Sequence, residues 1–556
     1  MSISTRARAR ITMRALLTAA LFAFAACTHA PVAQRGALID APAGAVQGEA
    51  RGDLLIFKGI PYAAPPVGVA RWRAPQPMPR WSGVRQATAF GPACIQPPRP
   101  AASVYAIDIG AMSEDCLSLN IWAPADAQNA PVFVWVHGGS LQSGASSEPM
   151  YDGAPLAERG VVAVSINYRL GVLGFLAHPE LSAESAQNIS GNYGLLDQIE
   201  ALRWIQRNIA AFGGDPANVT LAGESAGGLS VAYLLTSPAA RGLFAKAIIQ
   251  SANILAVPEL REAGYGMPSA EASGARLATI VGAANIEALR AMDARDLTIA
   301  ATGFPPRPTI DGVILLEQAA TVLDRGEQAP VPILIGFNAD EIRTFPALAP
   351  QPAANAAAYE DAIRERYRDL ADRFLQLYPS ADQPASIQAA TRDGIHGWSA
   401  ERLARRQTTL GQRAYLYFYD HTYPAADAAN LRAFHASELP YIFGALDAFP
   451  PNWPPIPNTE AEQHFSAALM EYWTSFARDG VPHAHAAPAW PAYGVSRAYM
   501  HFAETPHPAQ QLLPGMYELT EEIVCRRRNA GQAWGWAHGL AAPAIPPRDS
   551  ACAEPR

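Results

Sequence analysis

Three uninterrupted apolar runs constrain the fold of this 556-residue chain more than any other feature. They are VFVWV at 132–136, VVAVSINY at 161–168 and VTLAG at 219–223. Because a strand with one face in water alternates polar and apolar residues, runs without alternation favour strands buried on both faces, as in a parallel sheet. The composition, 49% hydrophobic and 17% charged, fits a large globular protein with a sizeable core.

Helical patterns alternate with these runs. The segment 195–213 has helical spacing and ends at a glycine just before the strand at 219–223. This alternation predicts an α/β fold with a mostly parallel sheet. Two further segments predict helical insertions, near 255–305 and 345–410. In the second, apolar side chains recur at steps of three and four, as in a helix that packs on the core: Tyr359, Ile363, Tyr367, Leu370, Phe374 and Leu377.

The N-terminus predicts export. Residues 1–26 place a basic stretch before a twelve-residue apolar run, too short to span a bilayer. The run ends in FAAC, which resembles a bacterial lipoprotein signal with Cys27 as the lipidated new N-terminus. Thr28 favours the outer membrane, and a plain secretory signal cleaved near Ala30, leaving a soluble periplasmic or secreted protein, is the alternative. Residues 27–45 are small and Pro/Ala-rich and predict a tether.

The cysteines and the charge limit the possible functions. If Cys27 is lipidated, four of the five cysteines remain, enough for two disulfides in any of three pairings. The cysteine spacings fit no zinc pattern, so no metal site is predicted. The formal net charge is −8, and it is −12 without residues 1–26. Such a surface repels phosphates, which argues against nucleic acid as a partner.

Ser225 is a candidate nucleophile. In VTLAGESAGG, Gly223 and Gly227 lie two places either side of Ser225, directly after an apolar strand. A sharp strand–turn–helix raises a serine clear of the backbone and crowds those two positions, where only glycine lacks a Cβ. The motif alone is a weak signal that also fits an ordinary turn of small residues. Its place after a buried strand favours a nucleophile.

A glycine-rich loop follows the first apolar run. In VWVHGGSLQSG, consecutive small residues allow backbone N–H groups to point into a cavity and hold the negative oxygen of a tetrahedral intermediate. A phosphate-binding loop is the alternative interpretation. The chain has no G-x-x-x-x-G-K-[ST] here and no lysine nearby, which argues against nucleotide binding.

Five motifs together make the chain resemble the type-B carboxylesterase/lipase family from about residue 47 to 505. The resemblance implies an α/β-hydrolase fold: a mostly parallel central sheet flanked by helices, with the catalytic domain over 46–525 and a C-terminal tail over 526–556. The motifs are FKGIPYAAPPVGVARWRAPQP, SEDCLSLNIW, NYRLGVLGFL, GNYGLLDQ and FGGDPANVTLAGESAGG.

The resemblance also implies a catalytic triad. Ser225 is its nucleophile, VPILIGFNADEIRTF supplies Glu341 as the acid, and HASELPYIFG supplies His435 as the base. Ile342 stands where the family usually has glycine, and Asp340 is an alternative acid. The order nucleophile, acid, base is that of α/β-hydrolases.

Further roles follow from the same resemblance. It implies that the backbone N–H groups of Gly139, Ser140 and Ala226 form an oxyanion hole, although Ser140 replaces the usual glycine or alanine. It matches Cys94–Cys116 to the family's first disulfide, whereas the pairing Cys525–Cys552 rests on the number of cysteines alone.

The predicted function is therefore that of an exported serine carboxylesterase, which hydrolyses small-molecule esters through an acyl-enzyme. This chemistry needs no metal or organic cofactor. The only predicted membrane contact is the N-terminal lipid, and the sequence leaves the oligomeric state open. The alternatives are an amidase or thioesterase with the same machinery, and a non-catalytic cholinesterase-like binding protein. Choline esters are disfavoured because cholinesterases carry a tryptophan in the first disulfide loop, which binds the cation through its ring. Here Tyr105 is the only aromatic residue between Cys94 and Cys116.

Overall fold

Seven neighbouring parallel strands form the centre of an eleven-stranded sheet in the computed structural model, which describes residues 37–552. In chain order the strands are β1 (Leu38–Ala41), β2 (Gly44–Gln47), β3 (Glu49–Arg51), β4 (Leu54–Pro61), β5 (Val84–Gln86), β6 (Ala93–Cys94), β7 (Met112–Ser113), β8 (Ser118–Pro124), β9 (Ala130–Val136), β10 (Val162–Ile166), β11 (Gly214–Glu224), β12 (Lys246–Gln250), β13 (Ile333–Asn338), β14 (Ala414–Tyr419), β15 (Ala498–Phe502) and β16 (His507–Gln510).

The order across the large sheet is β16-β15-β14-β13-β12-β11-β9-β10-β8-β4-β3. All neighbours from β15 to β10 are parallel. The remaining pairs, at the two edges, are antiparallel. The predicted mostly parallel sheet is therefore confirmed.

Helices flank the sheet. The α-helices are α1 (Ala154–Ala157), α2 (Gly171–Phe175), α3 (Pro179–Glu184), α4 (Tyr193–Asn208), α5 (Ala226–Thr236), α6 (Ala270–Ile280), α7 (Ile286–Ala291), α8 (Ala294–Ala300), α9 (Ala319–Arg325), α10 (Ala356–Tyr367), α11 (Ala371–Leu377), α12 (Gln383–Arg392), α13 (Trp398–Thr409), α14 (Pro424–Ala428), α15 (Leu439–Ile442), α16 (Glu460–Asp479) and α17 (Met516–Asn529).

The central strands are buried on both faces, which explains their uninterrupted apolar runs. In β9, Val132, Val134 and Val136 join one hydrophobic cluster with residues of α4 and α5. Phe133 and Trp135 join a second cluster, on the opposite face, with residues of α16. Successive side chains of a strand point to opposite faces, so each central strand supplies both cores at once.

The helical segments follow the sequence pattern with local differences. The helix predicted over 195–213 is α4, which ends at Asn208 and continues as a short 3-10 turn to Phe212. The insertions near 255–305 and 345–410 contain α6 to α8 and α10 to α13. The apolar pattern from Tyr359 to Leu377 is interrupted at Arg368, whose φ of 48° lies in the left-handed region. The pattern therefore spans two helices, α10 and α11.

Two predicted boundaries differ from the structure. The tether predicted over 27–45 is wrong for 38–45, where β1 and β2 pair as an antiparallel hairpin. Small residues misled the prediction because Ala41 and Ala43 are buried, and the Ala43 N–H donates to Asn208 Oδ1 at 2.8 Å. The tail boundary at 525/526 falls inside α17, where Arg526 is buried and pairs with Asp369 at 2.7 Å.

Two disulfides join the cysteines of the described region in the in-order pairing. Cys94 is bonded to Cys116 and Cys525 to Cys552, with Cα–Cα distances of 5.0 and 5.7 Å. Disulfides of this kind persist in oxidising compartments, so they favour an extracellular or periplasmic location. The predicted signal over 1–26 and the lipidation site Cys27 lie outside the described residues. Between residues 37 and 552, no helix is long and apolar enough to cross a membrane.

Candidate active site

Ser225 occupies a sharp turn between β11 and α5. The strand ends at Glu224 and the helix begins at Ala226, which leaves Ser225 alone with φ 55° and ψ −121°. Few non-glycine residues adopt a positive φ, and such strain persists only where the surroundings enforce it. The Ser225 N–H donates to the Gln250 carbonyl of the neighbouring strand β12 at 2.9 Å. The fold therefore holds this serine in an unfavourable conformation.

The two flanking glycines are required by close backbone approaches. A Cβ built on Gly227 would lie 2.0 Å from the Val136 carbonyl oxygen at the end of β9. A Cβ on Gly223 would lie 2.5 Å from the Gly227 carbonyl carbon. No side chain tolerates such distances, so the turn can form only with glycine at both positions.

The loop after β9 lies against the serine. An ideal Cβ on Gly138 would come within 3.1 Å of the Ser225 Cβ. Gly139 and Ser140 follow with φ values of 102° and 58°, so the backbone turns sharply although Ser140 carries a side chain. Ala226 is the first residue of α5, and its N–H is one of those that a helix N-terminus leaves unpaired. Gly139 and Ser140 line the same cavity as Ser225, and Ala226 directly follows Ser225 in the chain.

His435 and Glu341 are in direct contact. His435 Nδ1 forms a short hydrogen bond with Glu341 Oε2, and Glu341 Oε1 accepts from the Asn338 N–H at 2.8 Å. Burial raises the pKa of Glu341, but the neighbouring imidazoles outweigh burial and lower it to about 2. The alternative acid, Asp340, pairs with Arg343 at 2.5 Å instead.

Glu224 is a site residue that the sequence analysis missed. Its Oε1 lies 3.0 Å from His435 Nε2, so the imidazole is flanked by carboxylates at both nitrogens. Burial lowers the pKa of His435, but Glu224 and Glu341 overcome it and raise the pKa well above 6.5. Burial raises the pKa of Glu224, against the pull of His435. The available signal was the position directly before Ser225, at the carboxyl end of a buried strand.

A third buried carboxyl group, Glu438, completes this environment. It accepts hydrogen bonds from Asn338 Nδ2 at 2.7 Å and from Gln250 Nε2 at 2.9 Å. Burial and then the negative charge of Glu224 raise the pKa of Glu438 to about 8. Glu224 and Glu341 are the carboxylates that contact His435, whereas Glu438 is bound by the two amides.

A cavity of about 200 Å³ opens onto these groups. Ser225, His435 and Glu224 line it together with Gly139 and Ser140. The Tyr105 hydroxyl donates to the His435 carbonyl at 2.8 Å and so ties the histidine to the cavity wall. The aromatic residues of the wall are Tyr105, Tyr151, Phe345 and Trp453. The cavity can admit a small organic molecule beside the serine.

The site also contains a second histidine, which the sequence analysis missed. His396 lies in a π-helical turn, Asp393–Gly397, between α12 and α13. The potential metal-ligand atoms of His396, Glu341 and His435 lie within 4.8 Å of one another, a spacing that would suit a metal ion. However, His435 and Glu341 already bond to each other, and His396 Nδ1 lies 3.2 Å from the Ala252 carbonyl. Each of the three side chains therefore already has a hydrogen-bond partner within the protein.

Comparison with known proteins agrees with this geometry. A sequence profile of the Carboxylesterase family matches residues 35–518. Fumonisin B1 esterase of Sphingopyxis macrogoltabida is 38% identical over 471 residues, which cover 81% of this chain and 83% of the relative. Para-nitrobenzyl esterase of Bacillus subtilis (strain 168) is 36% identical over 465 residues, which cover 81% of this chain and 91% of that enzyme.

Solved structures show the same architecture. A PNB esterase structure superposes with a TM-score of 0.76 at 32% identity and covers 88% of this chain and 99% of its own. A carboxylesterase of Geobacillus stearothermophilus superposes with a TM-score of 0.73 at 34% identity and covers 89% and 100%. The chain therefore belongs to the carboxylesterase family and is a carboxylic ester hydrolase with the α/β-hydrolase fold.

Proposed function

We propose that this protein is an exported serine carboxylesterase in which Ser225, His435 and Glu341 act as a catalytic triad. One observation carries the proposal. His435, bonded to Glu341 through Nδ1, lines the same cavity as Ser225, which is held at a strained strand–helix turn. An activated serine needs this arrangement: a base within reach and an acid that orients the base.

The mechanism follows from these roles. His435 Nε2 takes the hydroxyl proton of Ser225, whose Oγ attacks the ester carbonyl carbon. The N–H groups of Gly139, Ser140 and Ala226 stabilise the resulting oxyanion. The intermediate collapses, the alcohol leaves with the proton from His435, and an acyl-enzyme remains. Water, activated by His435, then attacks the acyl-enzyme in the same way, which releases the carboxylic acid and restores Ser225.

Glu224 gives the mechanism a testable pH dependence. His435 accepts a proton only when it is neutral, and the adjacent carboxylates raise its pKa. Activity should therefore increase as the pH rises through the raised pKa of His435. Glu224→Gln removes one negative charge at 3.0 Å from Nε2, so the pKa of His435 falls. We expect the acid limb of the kcat/KM profile to move to lower pH by about one unit, as measured with a p-nitrophenyl ester.

A buried glutamate outside the cavity provides the control for this prediction. Glu200 on α4 pairs with Arg207 at 2.7 Å and does not line the cavity. Glu200→Gln should leave the acid limb in place. An unchanged or upward-shifted limb in folded Glu224→Gln would contradict the role assigned to Glu224.

The substrate is proposed to be a small-molecule carboxylic ester, as the names of the two relatives indicate for those proteins. The test is a series of p-nitrophenyl esters of short and long acids, compared with matched anilides and thioesters. Preferential hydrolysis of the oxygen esters supports the proposal. Preferential turnover of the anilide or the thioester would favour an amidase or thioesterase, and a folded protein silent on every compound would favour the non-catalytic binding protein.

We propose export on the basis of the predicted signal over 1–26 and the two disulfides. The proposed anchor is a lipid on Cys27. Expression of the full chain in a bacterium, followed by fractionation and mass spectrometry of the N-terminal peptide, tests both points. A lipidated peptide that begins at Cys27 supports the anchor, cleavage near Ala30 supports a soluble exported protein, and retention in the cytoplasm rejects export.

A further inference from the structure

The loop that carries the proposed oxyanion donors is conformationally strained. We call residues 138–144 the oxyanion loop. Four of its residues have φ in the left-handed region: Gly139 at 102°, Ser140 at 58°, Leu141 at 58° and Gly144 at 114°. For a residue with a Cβ this region costs of order 1–2 kcal/mol. Such a loop keeps one shape only if neighbouring groups enforce it.

Gln96 contacts the end of this loop through both the oxygen and the nitrogen of its side-chain amide. Its Oε1 accepts from the Gly144 N–H at 2.8 Å, and its Nε2 donates to the Gly144 carbonyl at 2.9 Å. The same Nε2 donates its other hydrogen to the Cys94 carbonyl at 3.0 Å. The residue is 6% exposed, so these bonds do not compete with bulk water. The oxygen and one hydrogen of the amide therefore hold the loop, and the other hydrogen fixes the amide to its own segment at Cys94.

The two ends of this contact are themselves anchored. Gln96 lies two residues after Cys94, whose disulfide to Cys116 ties the segment to the start of β8. Gly144 packs against His137, since a Cβ on Gly144 would lie 2.4 Å from His137 Nδ1. His137 directly follows β9 and precedes the oxyanion loop. Gln96 thus fastens the far end of the loop close to the point where the loop begins.

We propose that Gln96 is a positioning residue for the oxyanion hole, whose amide holds the loop in the shape that presents the Gly139 and Ser140 N–H groups to the developing negative charge. The inference rests on the proposed function. Donors aimed at the oxyanion act mainly in the transition state, where charge develops, and much less on the bound ester. Loss of Gln96 should therefore lower kcat far more than it raises KM.

Gln96→Glu is the sharpest variant, because it keeps the shape and replaces the donor Nε2 by an acceptor that repels the Gly144 and Cys94 carbonyls. We expect kcat for a p-nitrophenyl ester to fall about 10²-fold with KM changed less than about threefold. The affinity for an alkyl trifluoromethyl ketone, whose adduct with Ser225 carries an oxyanion, should fall by a similar factor. Gln96→Ala, which introduces no repulsion, should show the same pattern more weakly and serves if Gln96→Glu does not fold.

Gln318 is a matched control. It is buried and makes the same two-bond contact with another backbone: its Oε1 accepts from the Val257 N–H at 3.1 Å, and its Nε2 donates to the Val257 carbonyl at 2.7 Å. Gln318→Ala should lower stability about as much as Gln96→Ala, yet leave kcat and ketone affinity near wild type. Wild-type kcat and ketone affinity in folded Gln96→Ala or Gln96→Glu would overturn the proposal.

A measurement independent of activity separates this inference from the proposed function. Hydrogen exchange at the Gly144 amide should accelerate at least tenfold in Gln96→Ala and not in Gln318→Ala. If the wild type hydrolyses no ester, the proposed function fails, while accelerated exchange still shows that Gln96 holds the loop. If exchange at Gly144 is unchanged in Gln96→Ala, the positioning role fails whatever the activity.

Discussion

Replacement of Ser225 by alanine is expected to lower kcat/KM for p-nitrophenyl esters by at least about 10³-fold. In the proposed mechanism, loss of the hydroxyl prevents formation of the acyl-enzyme, so that only the proposed oxyanion hole and substrate binding remain to assist attack by water. The backbone should be unaffected, because the strained φ of 55° and the hydrogen bond from the Ser225 N–H to Gln250 do not involve the side chain. The melting temperature should therefore stay within a few degrees of wild type.

A buried serine outside the cavity serves as the control for this variant. Ser237 donates through Oγ to the Ile314 carbonyl at 2.6 Å. Ser237→Ala should lose about 1 kcal/mol of stability and keep its activity. If folded Ser225→Ala retained more than about a tenth of wild-type kcat/KM, another nucleophile would have to be sought among the residues that line the cavity.

Replacement of Gly227 by alanine should have an equally large effect on activity, by a different route. The added Cβ would lie 2.0 Å from the Val136 carbonyl oxygen, far inside van der Waals contact. Because Val136 is in the central strand β9, the first turn of α5 must move instead and take Ser225 and Ala226 with it. We expect a loss of about 3 kcal/mol or more in stability. We also expect a loss of about 10²-fold or more in kcat/KM, since small misplacements of reacting groups are costly.

Thermal unfolding together with ester hydrolysis checks this second expectation. Gly303→Ala is the matched control, since a Cβ there would meet no atom within 4 Å. It should unfold at the wild-type temperature and hydrolyse the ester at the wild-type rate. A Gly227→Ala protein with wild-type stability and activity would mean that β9 and α5 are not as close in solution as in the structure.

Much of the fold follows from local sequence patterns. The three apolar runs became β9, β10 and β11, because strands buried on both faces carry mostly apolar side chains without polar alternation. The motif around Ser225 predicted a strand–turn–helix, since the backbone of that turn excludes a Cβ two residues before and after. The tether over 27–45 was wrong in part because small residues are typical both of flexible segments and of tightly packed hairpins.

By contrast, the surroundings of the site depend on contacts between residues far apart in the chain. Glu224 meets His435 only because β11 lies near the loop that follows β14 in space. Glu438 accepts hydrogen bonds from Asn338 and Gln250, which lie on two different strands. Gln96 accepts a hydrogen bond from the oxyanion loop although it lies in a separate, disulfide-bonded segment. No local pattern marks these partners, since each could equally have been solvated in another fold.

The sequence by itself therefore determined the elements whose form depends on neighbours a few residues away: the buried strands, α4 and the glycine-bounded turn at Ser225. The tertiary structure alone decided which buried carboxyl groups surround His435 and which amide holds the oxyanion loop. The physical reason is that backbone geometry acts over a few residues, whereas hydrogen bonds and charge interactions act through space, between groups that only the packed sheet and its loops bring together.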